Sequence, residues 1–358
     1  MRTTMLILLT WGVAAGLAAA ADAVGKAQLV EVRRIWDKAP HNAFTDLIRF
    51  RGRWLCAFRE GAGHVSHDGK ARVIASRDAA TWEPLALLSA PSADLPDLRD
   101  PKITLAPTGR LMLTTAAANR KPGAAGLQTC AWFSADGRRW SAPARIGQPG
   151  FWLWRVTWHE KVAYGIGYGK RIVRLYRSTD GRRFETLVER LFETGYPNET
   201  SLVFGDGGTC WCLLRRDGRP NSAMLGTARA PYTKWAWKDL GVRIGGPRLL
   251  RLPDGRFLAA GRRYDGAVRT SLMWLDPAKG ELREILKLPS GGDTSYPGLV
   301  LHDGLLWVSY YSSHEGKASI YLAKVKLPRV PTSRRGGERD APVAPSARGK
   351  QAGREKDQ

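Results

Sequence analysis

The chain predicts an all-β protein, a six-bladed β-propeller of four-stranded antiparallel blades. Three observations carry that expectation. A turn followed by apolar and aromatic residues recurs six times, five of them with glycine, a Ser-x-Asp turn recurs three times, and no long stretch keeps a 3.6-residue apolar period.

The first repeat comprises Arg51-Gly52-Arg53-Trp54-Leu55, Thr108-Gly109-Arg110-Leu111-Met112, Asp206-Gly207-Gly208, Asp254-Gly255-Arg256-Phe257-Leu258 and Asp303-Gly304-Leu305-Leu306-Trp307. A degenerate copy is His159-Glu160-Lys161-Val162-Ala163-Tyr164. Taken at positions 52, 109, 160, 207, 255 and 304, the intervals are 57, 51, 47, 48 and 49. Asp-Gly before extended residues is a hairpin signal, because glycine supplies the positive φ that a tight hairpin turn needs. Strand-rich units at such a period, each too small to fold alone, favour a propeller with about four strands per blade. A propeller must also close its ring, so the strand predicted over 28–36 is expected to pair into the last blade, beside residues 318–325.

The second repeat is Ser76-Arg77-Asp78-Ala79-Ala80-Thr81-Trp82, Ser134-Ala135-Asp136-Gly137-Arg138-Arg139-Trp140 and Ser178-Thr179-Asp180-Gly181-Arg182-Arg183-Phe184. In each, Ser and Asp can bond the turn backbone, a small residue takes the left-handed position, and an aromatic packs beneath. These segments resemble the Asp-boxes of sialidases, one residue shorter than the usual spacing and with Ala79 where the first box would carry glycine. Asp-boxes are structural, so they bear on fold more than on chemistry.

The resemblance to sialidases extends over roughly residues 40–325 and reaches candidate site residues. Asn198-Glu199-Thr200-Ser201 followed by Arg215, 16 residues after Glu199, looks like the stretch in which an active-site Glu precedes a carboxylate-binding Arg. Strand alternation sends only one of Arg215 and Arg216 inward. Arg269-Thr270-Ser271-Leu272 resembles the strand bearing another Arg of the family's triad. Asp293-Thr294-Ser295-Tyr296-Pro297-Gly298 resembles the segment with the catalytic Tyr. The resemblance implies that Tyr296 is the nucleophile, Glu199 its base, and Arg215 and Arg269 a fork for the sugar carboxylate. It also implies an acid/base carboxylate in the loop before the first Asp-box, with Asp68 the candidate. A tyrosine nucleophile suits sugars with a carboxylate on the reacting carbon, which would repel an anionic one.

One departure stands out. Where sialidases carry the first triad Arg, this chain reads His41-Asn42-Ala43-Phe44-Thr45-Asp46-Leu47. Arg59 or Arg72 on neighbouring strands are the candidate replacements, and Arg248 is counted with the substrate-binding residues. Leu98-Arg99-Asp100-Pro101 resembles the Arg-Asp-Pro motif of five-bladed fructan and arabinan glycosidases, which makes Asp100 a secondary site residue.

The rest of the chain sets the context. A basic start, an apolar run over 5–20 and an Ala-rich exit describe a signal peptide over 1–23. The chain is thus expected to be secreted or periplasmic, with no stable membrane insertion and no nucleic-acid partner. The propeller is expected over 24–327 and a disordered basic tail over 328–358. The net charge of +23 favours anionic partners, whether nucleic acid, a membrane surface or acidic glycans; the resemblance to sialidases implies the last, an acidic glycan. Cys210 and Cys212 flank Trp211 and read as core packing; Cys56 and Cys130 complete the four, and their pairing is left open, as is the oligomeric state. His64 and His67 in the Gly61–Gly69 loop read as surface or substrate-contact residues, so no metal is expected, and no cofactor fingerprint is present. The expected function is a sialidase-like glycoside hydrolase acting on terminal acidic sugars; the alternative is a glycan-binding propeller without catalysis.

Overall fold

The computed structural model describes residues 25–328. The stretch read as a leader, 1–23, and the tail beyond 328 lie outside the described residues. Within them are six four-stranded antiparallel sheets and no helix. The inner strands are His41–Phe50, Asp97–Leu105, Trp152–His159, Pro197–Phe204, Ile244–Arg251 and Thr294–His302, one per blade. All six turns of the first repeat fall between an inner strand and its second strand; five use glycine, and in the third Glu160 takes the positive φ, 54°. The fold is the six-bladed propeller expected.

Ring closure also follows the expectation. Gln28–Trp36 lies antiparallel to Ser319–Lys326 as the outermost strand of the sixth blade, with Gln28 opposite Lys326 and Trp36 opposite Ile320. The core sits between blades, because each strand's period of two sends alternate side chains to opposite neighbours. Cys210, Cys212 and Leu214 pack with Ile166 and Leu175 of the third blade. Trp211 and Leu213 turn the other way, to Leu249 and Phe257 of the fifth. All four cysteines are free and buried, as core packing requires.

The three Asp-boxes close the third strands of the first three blades. In the second, Ser134 Oγ accepts the Gly137 amide at 2.8 Å, and Asp136 Oδ1 accepts the amides of Arg138 and Arg139, each at 2.8 Å. Those bonds to the ionised form pull the exposed Asp136 carboxyl down to about 2. Trp140 Nε1 donates to Gly137 O at 2.9 Å and locks the aromatic under the turn. Ala79 takes the same left-handed place in the first box, at φ 61°. The fourth blade reuses half the device without its sequence: Trp235 Nε1 donates to Tyr232 O at 2.8 Å.

Candidate active site

Every inner strand carries a register shift at the same depth: between Ala43 and Asp46, Arg99 and Lys102, Leu153 and Val156, Pro197 and Thr200, Gly245 and Arg248, and Ser295 and Gly298. A bulge inserts an unpaired residue, bends the strand and re-aims a side chain. Phe44, Asp100, Gly246 and Tyr296 occupy these bulges at positive φ, of 63°, 47°, 58° and 52°. The repeated bulge turns the start of each inner strand into a ring of residues at the hub, on the face opposite the Asp-boxes.

Two of these side chains, Tyr296 and Glu199, form a tight cluster with Arg215 of the neighbouring strand Thr209–Arg216. Tyr296 Oη donates to Glu199 Oε1 at 2.6 Å. Arg215 Nη1 donates to Glu199 Oε2 at 2.7 Å and to Tyr296 Oη at 3.0 Å. The Gly246 amide gives Glu199 Oε2 a further bond at 2.9 Å. Burial would raise the Glu199 carboxyl, yet the Arg215 guanidinium and the bonds from Tyr296, Arg215 and Gly246 outweigh it and hold it below its ordinary value. Tyr296 moves the other way: burial and the adjacent Glu199 charge push its phenol well above the ordinary range. The pair is therefore a neutral phenol on an ionised carboxylate. Asp217 steadies Arg215 at 2.9 Å and accepts from Asn198 at 2.8 Å.

Beneath the cluster, Asp100 Oδ2 accepts Trp154 Nε1 at 3.0 Å, while Oδ1 is buried without a partner among the described residues. Burial raises the Asp100 carboxyl against the pull of Lys102 and Arg99. Lys102 Nζ lies 5.0 Å from the Trp154 ring centre and 5.7 Å from that of Tyr296, and donates to Thr45 O at 3.1 Å.

The rim is built on Asp293. His41 Nε2 lies 2.9 Å and His64 Nδ1 2.6 Å from Asp293 Oδ2, while Tyr311 Oη at 2.7 Å and Arg262 Nη2 at 3.2 Å donate to Oδ1. These donors hold the Asp293 carboxyl far below its usual range in spite of its burial. Arg262 also sits 5.6 Å from the Tyr296 ring centre. Among the described residues, His41, His64 and Asp293 form the group able to hold a metal, with ligand atoms within 4.8 Å of one another. The carboxylate is already satisfied by four donors, one of them a guanidinium, so the arrangement does not call for a second cation.

No family model and no curated protein matches the chain. Solved structures do. One is a protein of unknown function from Dyadobacter fermentans, with a TM-score of 0.76 and 19% identity over 85% of this chain and 100% of that one. Another is the α-L-arabinanase of Penicillium chrysogenum complexed with arabinobiose, with a TM-score of 0.65 and 12% identity over 82% and 98% of the two chains. A third is the Trypanosoma rangeli sialidase, with a TM-score of 0.58 and 12% identity over 84% of this chain and 58% of the sialidase. The fold is sialidase-like. It is shared with the arabinanase, nearly the whole of which aligns with this chain.

Of the residues singled out in the sequence, the hub brings together Tyr296, Glu199, Arg215 and Asp100. Arg216 turns away to Ser222, as strand alternation requires. Arg269 does not join them; it is held by Glu284 at 2.8 Å and by the Asp265 carbonyl at 2.7 Å. Arg262 faces Tyr296 instead. It lies 47 residues after Arg215, one blade period, and that spacing is the signal that could have found it. Neither proposed replacement for the first triad Arg reaches the cluster. Arg59 is fully buried, donating to Asp97 at 2.9 Å and to Gly63 O at 2.8 Å. Arg72 pairs with Glu60 at 3.0 Å and stacks on Trp36. Phe44 fills the bulge of the first inner strand, its ring centre 5.0 Å from that of Tyr296. Asp68 accepts the Ala62 amide at 3.1 Å and closes its own loop. Arg248 lines a cavity of about 370 Å³ toward the other end of the hub, with Asp46, Lys102 and Arg155. His41, Asp293, Tyr311, Lys102 and Trp154 were missed, because each is brought in by a bulge or a neighbouring blade.

Proposed function

We propose that this protein is an exported, retaining glycoside hydrolase that takes a terminal acidic sugar. The observation that carries the reading is the Tyr296 hydroxyl held between Glu199 at 2.6 Å and Arg215 at 3.0 Å. On this reading Tyr296 Oη attacks the anomeric carbon while its proton passes to Glu199, whose lowered pKa keeps it ionised and ready to accept. Arg215 and Arg262 face the substrate carboxylate, and the glycosyl–tyrosine intermediate, an aryl glycoside, is then released by water.

A second reading has its own support. With Phe44 in place of an arginine, and with Arg215 and Arg262 already paired with Glu199 and Asp293, the hub offers a weak clamp for an anionic sugar. Glu199 and Asp100 are two carboxyls whose environments push their pKa values apart, lowered and raised. Such a divergence assigns a base or nucleophile and an acid. Those two carboxyls suit an uncharged terminal sugar of the kind named in the arabinanase complex.

The test is release of fluorophore from an α-sialoside, a uronide and an α-L-arabinofuranoside by the chain without residues 1–23. Tyr296→Phe and Glu199→Gln are each expected to cut kcat/KM on the acidic substrate by at least about 100-fold with unfolding midpoints kept. Arabinoside release that survives Tyr296→Phe but is lost in Asp100→Asn favours the second reading. No release from any of the three leaves a glycan-binding propeller.

A further inference from the structure

We propose that the proton donor to the leaving group is His64, poised by Asp293, and not a carboxylate of its loop. This rests on the glycosidase reading above and completes it.

The loop between the second and third strands of the first blade, residues 61–69, is held by two buried arginines. Arg59 donates to Gly63 O at 2.8 Å and to Ser66 Oγ at 2.7 Å, and Arg99 donates to His64 O at 2.8 Å. Both guanidiniums, with side-chain exposures of 0% and 5%, pair with Asp97 and thereby tie the loop backbone at Gly63 and His64 to a buried ion cluster. Groups held this way are preorganised, as a catalytic side chain on a loop must be. The residue delivered is His64. Its ring centre lies 5.1 Å from that of Phe44, which itself lies 5.0 Å from that of Tyr296.

The chemistry of the ring is set by its partner. Asp293 Oδ2 can only accept, so His64 Nδ1 carries the proton across the 2.6 Å contact. Nε2 has no partner among the described residues, and the side chain is 46% exposed at the open rim. A histidine oriented through Nδ1 by an anchored carboxylate, with Nε2 presented to the substrate, is the arrangement of a proton-transfer group. Asp293 is itself fixed by Tyr311 and Arg262. Asp68, by contrast, spends both carboxylate oxygens on the Ala62 amide, each at 3.1 Å.

In the first step the imidazolium Nε2–H protonates the glycosidic oxygen as the C–O bond breaks and Tyr296 Oη bonds the anomeric carbon, its own proton going to Glu199. The products are the free alcohol, a glycosylated Tyr296, a protonated Glu199 and a neutral His64. In the second step neutral Nε2 takes a proton from water as that water attacks the anomeric carbon, and Glu199 returns its proton to the departing Tyr296.

The experiment compares leaving groups on whichever sugar the parent releases. A dinitrophenyl glycoside needs no protonation to depart, whereas an alkyl glycoside does. His64→Ala is expected to lower kcat/KM on the alkyl glycoside by at least about 100-fold and on the dinitrophenyl glycoside by less than about 5-fold. Azide is expected to accelerate the variant on the dinitrophenyl substrate and give the glycosyl azide. Equal losses on the two substrates, or no loss on either, overturn the assignment, as does a leaving-group-selective loss in Asp68→Asn. A parent inactive on every glycoside overturns the glycosidase reading itself. An active parent with a dead Tyr296→Phe and an unaffected His64→Ala overturns this inference alone.

Discussion

At the scale of single residues, the cost of the site is most visible at Lys102. Its side chain is buried beneath Trp154 and Tyr296. Burial and the neighbouring Arg155 pull its pKa from 10.5 to about 8, against the opposing pull of Asp100, Asp46 and Glu199. A lysine lowered on folding penalises the folded state while it remains charged. Between about pH 8 and 10.5 the unfolded chain holds a proton that the folded chain has released, so this residue's contribution rises with pH through that window. The buried thiols act oppositely, since Cys56 and Cys210 are raised by burial and weaken the fold as the unfolded thiols ionise. The clean measurement is therefore the difference between parent and Lys102→Met. That variant is expected to be more stable by roughly 2–3 kcal/mol at pH 7, with the gain shrinking as pH approaches 10. Urea unfolding at pH 7, 8.5 and 10 reads it directly. A pH-independent difference would show that Lys102 is not carrying a desolvation penalty, and would remove it as the positive floor under Tyr296.

At the scale of elements, the bulged inner strand is the device that makes a site out of a repeat. Its dependence on backbone geometry is sharpest at Gly246, whose φ is 58°. A Cβ there would lie 2.7 Å from Cδ2 of Tyr296 and 3.1 Å from its Cα. Gly246→Ala is expected to cost about 1–3 kcal/mol, from the left-handed backbone and the displaced ring together. Because the Gly246 amide also bonds Glu199, kcat should fall more than KM changes. A variant with parental stability and parental kcat would sink the idea that the bulge positions the Tyr296–Glu199 pair. The bulges also explain what the sequence could and could not tell. Hairpin turns and Asp-boxes are local, with glycine, serine and aspartate bonding their own backbone, so six turns and three boxes were legible. A bulge depends on the partner strand, and with it depends which of two nearby arginines faces the hub. Arg215 was recognised because it keeps its spacing from Glu199. Arg269 is suggested by local likeness alone, whereas Arg262 is marked only by its 47-residue distance from Arg215, one blade period. Asp293 was read only as a neighbour of Tyr296, and its histidine partners come from 252 and 229 residues away.

At the scale of the whole molecule, the ring has to be closed for any of this geometry to exist, since the cluster draws on blades that meet at the seam. Tyr296, Asp293 and Tyr311 belong to the sixth blade, and Phe44 and the His64 loop to the first. The seam is fastened by Gln28–Trp36, which covers the edge of Ser319–Lys326 and then passes into the first blade. Trp36 Nε1 donates to Glu60 Oε1 at 2.7 Å, Arg72 lies 5.6 Å from the Trp36 ring centre, and Asn42 bonds Ala318 O at 3.0 Å. Arg72 thus works in the clasp and not in the sugar site. Removing residues 25–36 exposes the sixth blade's edge to pairing with another chain and leaves the seam to the inner strands alone. The truncated protein is expected to lose turnover and to unfold at least about 10 °C lower, or to be recovered only as oligomers. Trp36→Ala, which keeps the strand, should cost about 3–5 kcal/mol and keep the parent's oligomeric state with reduced turnover. Size-exclusion chromatography and thermal unfolding of both variants separate the possibilities. A truncation with the parental oligomeric state and the parental midpoint would mean that the inner strands hold the ring by themselves, and the clasp would then be a cover for an edge strand and nothing more.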